Sequence, residues 1–156
     1  MSPELNFQVV PFDEVPLTEP TVQREPPVVL VVDDEKVIAD TLSIILSKSG
    51  FAVMTAYDAE TALEFAGLVP PELLVTDVAM PGMNGIELAI ALVQSIPDCK
   101  VLLFSGQAST NDLLDEARHA GHSFTLLTKP VHPTDLLKRI NQFLNRETVA
   151  ATESVK

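Results

Sequence analysis

The amino-acid sequence predicts an α/β domain built on a doubly wound, five-stranded parallel sheet. Three observations carry this expectation. Short apolar, β-branched runs recur between residues 28 and 127, segments with apolar residues at helical spacing separate them, and glycine, proline and capping residues mark the junctions. Strands buried on both faces read as continuous apolar runs, and a regular strand–helix alternation requires right-handed crossovers covering both sides of a parallel sheet.

The elements follow in order. Val28 to Val32 is the first strand, and Val37, Ile38, Thr41, Leu42, Ile45 and Leu46 recur at helical spacing before Gly50 stops the helix. Residues 51 to 56 form the second strand, and Asp58 is placed to cap a helix carrying Ala62, Leu63, Phe65 and Ala66. After the Pro70-Pro71 break, Leu73 to Thr76 leads to Asp77, and Asn84 and Glu87 have capping-box spacing for a helix to about Ser95. Val101 to Phe104 ends at Ser105, and Ser109 is placed to cap a helix with Leu113, Leu114 and Ala117, stopped by Gly121. Phe124 to Leu127 leads to Lys129, and beyond Pro133 the residues Leu136, Leu137, Ile140, Phe143 and Leu144 mark the last helix.

The domain is therefore expected over residues 28–146. Residues 1–27 hold six of the twelve prolines and five acids against one arginine, which predicts an extended, disordered arm. Its apolar residues, Phe7 and Phe12 among them, leave a docking peptide as the second reading. Residues 147–156 are expected to be a frayed tail. The formal net charge of −12 repels nucleic-acid phosphates and anionic lipid, so neither is an expected partner. No apolar run reaches the length of a membrane span, and the N-terminus carries acids and prolines in place of a signal peptide, so a cytoplasmic location is expected. Cys99, the single cysteine, is expected to be a half-buried apolar residue.

Sites in doubly wound folds lie beyond the carboxyl ends of the strands. The first, third, fourth and fifth strands end at Asp33-Asp34-Glu35, Asp77, Ser105 and Lys129, so three aspartates, a hydroxyl and an ammonium converge on one edge. Each alone has an ordinary explanation as a cap, a turn or a solvated charge. Together they do not: two carboxylates about 5 Å apart repel by roughly 3 kcal/mol at an effective dielectric near 20. Lys129 supplies one compensating charge, and an oxygen-preferring divalent ion would supply two more.

The segments LVVDDE and TDVAMPGMNG, with the Ser105-Gly106 and Lys129-Pro130 pairs, resemble the signature of bacterial two-component response-regulator receivers over residues 28 to 146. That resemblance implies a (βα)5, flavodoxin-like sheet of strand order 2-1-3-4-5. It implies a stand-alone response regulator that accepts a phosphoryl group on Asp77 from a phosphohistidine of a sensor histidine kinase or phosphotransfer protein. Asp33, Asp34, Asp77 and the main-chain carbonyl of Ala79 would hold Mg2+ or Mn2+, with Asp34 binding directly and Asp33 partly through water. Lys129 would pair with a phosphoryl oxygen, and Ser105 would donate to another once the group is attached. Pro81 and Gly85 would shape the loop, and a cis bond before Pro130 would aim Lys129 into the cleft. Contacts with a downstream protein would then switch, in a monomer or weak homodimer; a relay carrier or a phosphorylation-independent binding module are the alternatives.

Three positions bear on how far the pattern holds. Many receivers carry Tyr, Phe or His where this chain has Leu126, and Phe124 lies two residues back on the same strand face. A leucine rotamer change, or no readout through this strand, replaces the ring movement. Ala79 and Gln107, two residues after Asp77 and Ser105, are not acidic, and the small Ala79 leaves water a path to the phosphoryl group. Ala79 also argues against an aspartate-nucleophile phosphatase, which needs a second acid there. The acids after the first strand argue against a flavin-binding module, whose phosphate they would repel. No enzyme activity beyond self-phosphorylation and dephosphorylation is expected. The spacing of His119, His122 and His132 does not suggest a metal cluster, Met80 and Met83 are read as packing, and Glu35 as a solvated first-turn residue.

Overall fold

Five strands and five helices alternate along the chain in a computed structural model that describes residues 25–106 and 110–145. The strands are β1 (Val28–Val32), β2 (Ala52–Ala56), β3 (Leu73–Asp77), β4 (Lys100–Ser105) and β5 (Thr125–Thr128). The helices are α1 (Lys36–Lys48), α2 (Ala59–Leu68), α3 (Gly85–Ser95), α4 (Thr110–His119) and α5 (Pro133–Phe143). All pairings are parallel and the sheet order is β2-β1-β3-β4-β5. The prolines and acids of the arm up to residue 24, the Ser109 cap, Gln107 and the tail lie outside the described residues.

Side-chain alternation explains the two layers. Leu30 and Val32, Leu74, and Val101 and Leu103 point to one face, where Ala62, Leu88, Leu92 and Leu114 of α2, α3 and α4 cover them. Val29 and Val31, Leu73 and Val75, and Leu102 and Phe104 point to the other, under Ala39 and Leu46 of α1 and Leu136 and Ile140 of α5. A strand whose successive residues face opposite covered layers must be apolar throughout, which is why β1 and β3 carry no alternation in the sequence.

Local chemistry sets the junctions. Asp58 accepts the Thr61 amide at 2.7 Å, and Asn84 with Glu87 forms a complete capping box, with bonds of 2.8 and 2.9 Å. Gly50 and Gly121 take positive φ values of 97° and 95° after α1 and α4, the left-handed region that terminates helices. Three expectations shift. β2 and β5 each start one residue later than the apolar pattern suggests: the Phe51 amide donates to the Leu46 carbonyl of α1, and Phe124 stacks on His122 just ahead of β5. Glu35 is the residue before α1 rather than in its first turn; it makes no side-chain cap and lies exposed.

Gly85 has a tighter role than loop shaping. It is the first residue of α3, its amide donates to the Val78 carbonyl at 2.8 Å, and any Cβ there would overlap the main-chain carbonyl of Asp77. Gly85→Ala is expected to lower stability by at least about 2 kcal/mol in urea unfolding, because backbone rather than a flexible side chain would have to move.

Candidate functional site

β1 and β3 lie side by side at the centre of the sheet, where the chain winds first toward β2 and then toward β4. Their following loops diverge there and open a crevice, the usual place for a site in an open parallel sheet. Main-chain bonds that continue the strand ladders fix this edge: Asp33 donates to the Ala56 carbonyl, Val78 to Phe104, and Lys129 to Ser105, at 3.3, 3.0 and 2.9 Å.

Asp33, Asp34 and Asp77 each offer a carboxylate oxygen, and the three atoms lie within 4.8 Å of one another. Asp33 is 1% exposed and Asp77 8%, whereas Asp34 faces solvent. Lys129 reaches in from the end of β5. Its Nζ is 3.2 Å from Asp33 Oδ2 and 3.3 Å from Asp77 Oδ1. Asp33 is the tie between two loops, because its Oδ1 also accepts the Glu35 amide at 2.9 Å. The Thr76 hydroxyl donates to the Asp77 carbonyl at 2.9 Å, adding a buried bond at the base of the acid.

Burial, and then the charge of Asp33, hold the Asp77 carboxyl above its ordinary range despite the nearby ammonium. Burial alone would lower the Lys129 pKa, but Asp33 and Asp77 outweigh it and keep the ammonium charged. One cation against three acids leaves an uncompensated negative site with oxygen donors at close quarters. This donor set fits a hard divalent ion and suits neither a thiophilic metal nor a bare anion.

The sequence-predicted residues otherwise fall as follows. Ala79 and Pro81 lie exposed in the loop after β3, and the Lys129-Pro130 bond is cis. Leu126 pairs in register with Leu103 and packs with Phe124 against the layer of α2, α3 and α4, so the two do share a face. Ser105 is 4% exposed at the end of β4, and its hydroxyl lies 2.5 Å from that of Thr110, the first residue of α4. Sequence reasoning passes over Thr110, although a hydroxyl residue at a helix start is a recognisable signal. Cys99 is more buried than expected, and burial pushes its thiol up to about 12, so it is inert as a nucleophile at neutral pH. Met80 is buried and Met83 packs against the same apolar cluster, as expected of packing residues. The three histidines serve local ends: His119 bonds the Asp115 carbonyl, His122 stacks on Phe124, and His132 caps α5.

Ionised Asp77 is a cost to the fold in the absence of a metal. A carboxyl with a raised folded pKa contributes stability when protonated and loses it as pH rises through that value. Asp77→Asn is therefore expected to be more stable than the unsubstituted protein by about 1–2 kcal/mol at about pH 8 in metal-free buffer, with the gap closing toward about pH 4. Urea unfolding at the two pH values measures both.

Comparison with known proteins agrees with this geometry. Residues 29–141 match the family model of the response regulator receiver domain. The chain is 31% identical over 130 residues to the probable transcriptional regulatory protein TcrX of Mycobacterium tuberculosis, covering 83% of this chain and 55% of that protein. It is 33% identical over 126 residues to the alkaline phosphatase synthesis transcriptional regulatory protein PhoP of Bacillus subtilis, covering 81% and 52%. The chain thus spans about half the length of these curated relatives. Among solved structures, a CheY-like receiver domain protein from Methanospirillum hungatei superposes with a TM-score of 0.70 at 30% identity, covering 77% of this chain and 94% of that one. Vibrio cholerae CheY4 gives 0.68 at 29% identity, covering 76% and 98%. No helix among the described residues is long and apolar enough to cross a membrane. With the sheet order, the acid crevice and the family match in agreement, the chain belongs to the response-regulator receiver domains of two-component systems.

Proposed function

We propose that Asp77 is the phosphoacceptor of this receiver, taking a phosphoryl group from a phosphohistidine on a sensor histidine kinase or phosphotransfer protein. The observation that carries the proposal is the meeting of Asp77 with Asp33 and Asp34 within 4.8 Å, under a lysine 3.3 Å away. A carboxylate oxygen of Asp77 attacks phosphorus, an O–P bond forms, the N–P bond breaks, and the imidazole leaves with the electron pair and takes up a proton. Lys129 is placed to pair with a phosphoryl oxygen, and its raised pKa keeps it charged for that purpose. Asp33, Asp34, Asp77 and the carbonyl of Ala79 are the residues that would hold Mg2+ or Mn2+. When bound, the ion supplies neutralisation of the charge that builds on the transferring group.

Asp33, the most buried of the three acids, orients Lys129 and closes the β1 loop through its bond to Glu35. Ser105 is the hydroxyl donor for the attached group, and the surface around α4, β5 and α5 then presents a changed face to a downstream protein. Ala79 offers no second acid for phosphatase chemistry, which supports a protein that acts on its own aspartate alone.

Two measurements test this reading. Mg2+ and acetyl phosphate should add one phosphoryl mass to the intact protein, and Asp77→Asn should abolish the adduct. The absence of an adduct with small donors and with kinase would sink the proposal. The exposed Ala79 leaves a water path beside Asp77, so Ala79→Arg should lengthen the lifetime of the phosphorylated protein several-fold, followed by the decay of the adduct.

A further inference from the structure

A receiver with leucine at position 126 has no ring in β5 to report phosphorylation, yet a buried hydroxyl pair joins the site to α4. Ser105 ends β4 and Thr110 begins α4; they are 4% and 2% exposed, and their hydroxyls meet at 2.5 Å. Ser105 is fixed at the site edge, since its carbonyl accepts the Lys129 amide at 2.9 Å while the neighbouring Phe104 carbonyl accepts the Val78 amide at 3.0 Å. Thr110 is fixed to the helix layer, whose Leu114 and Ala117 enter the apolar cluster that also holds Leu126. The pair is thus a direct bond between the strand beside Asp77 and the first turn of a helix.

A serine hydroxyl has one proton to donate. We propose that Thr110 is a positioning residue: it holds the Ser105 hydroxyl at rest, and a phosphoryl group on Asp77 competes with it for that hydroxyl. Movement of Ser105 to the phosphoryl oxygen forfeits the bond to Thr110, so the start of α4 loses an anchor at the moment the site is filled. Local chemistry reaches the helix through this exchange, without an aromatic side chain in β5. The inference rests on the phosphoacceptor reading of Asp77.

The test uses beryllofluoride with Mg2+ as the phosphoryl mimic, with affinity read by titration calorimetry. Thr110→Val keeps the shape and removes the hydroxyl, so the resting state loses this competitor and the mimic should bind about three- to tenfold more tightly. Thr110→Ala should shift affinity in the same direction, and Thr110→Ser should restore the affinity of the unsubstituted protein. In Ser105→Ala, which should itself weaken binding, adding Thr110→Val should change nothing further, since the effect runs through Ser105. Hydrogen exchange at the first turn of α4 should quicken on mimic binding in the unsubstituted protein but show no mimic-dependent change in Thr110→Val. Unchanged or weaker binding by Thr110→Val, or an equal gain in the Ser105→Ala background, would overturn the role of Thr110 alone. Failure of the unsubstituted protein to bind the mimic would overturn the reading of Asp77, and this inference with it.

Discussion

Three carboxylates within 4.8 Å of one another, with one ammonium among them, form an arrangement that folding does not favour for its own sake. At that separation each charged pair repels by several kcal/mol at an effective dielectric near 20, on the order of the attraction that Lys129 returns. The rest of the domain supplies what holds the acids there. Both faces of β1 and β3 are sealed by helices, and the strand ladders run on past their ends through Asp33, Val78 and Lys129. The apolar layers stabilise a geometry whose electrostatics are left unsatisfied, and that imbalance is what a cation and a transferred phosphoryl group can exploit.

Much of this was legible in the sequence, for reasons that differ by residue. β1 and β3 stood out because burial on two faces leaves no polar positions, and Asp58 and the Asn84–Glu87 pair because a cap needs a particular side chain at a particular spacing. The acids and Lys129 could be gathered at one edge because every parallel strand delivers its last residue to the same side of the sheet. Contacts between distant segments were not legible. That Asp33 joins Glu35 to Lys129, that Thr110 meets Ser105, and that Gly85 abuts the Asp77 carbonyl all depend on loop paths that no periodicity encodes. Phe124 misled for a related reason: its β propensity extends the strand pattern, but the pairing with β4 begins only at Thr125.

The two halves of the crevice are built differently. On the β3 side, the start of α3 presses on the backbone of Asp77 with no room for a methyl group, and Val78 donates to the Phe104 carbonyl and accepts from the Gly85 amide. Asp77 is held rigidly. On the β4 and β5 side, Leu126 is half-buried and Ser105 meets its partner through hydroxyls that can rotate. Stiffness lies beside Asp77, and adjustability lies beside Ser105 and Leu126, which suits aiming a group on one side and transmitting a shift on the other.

The single direction of the strands also separates chemistry from attachment. All five strands point their carboxyl ends at the acid crevice, so β1 enters from the opposite rim, and α5 returns there to end at Phe143 beside Lys100 and Thr125, the first residues of β4 and β5. The described chain therefore enters and leaves the domain on the rim opposite Asp77. The acid crevice and the points of attachment thus occupy opposite rims of one sheet, and a load borne at one rim reaches the other only through the packed strands between them.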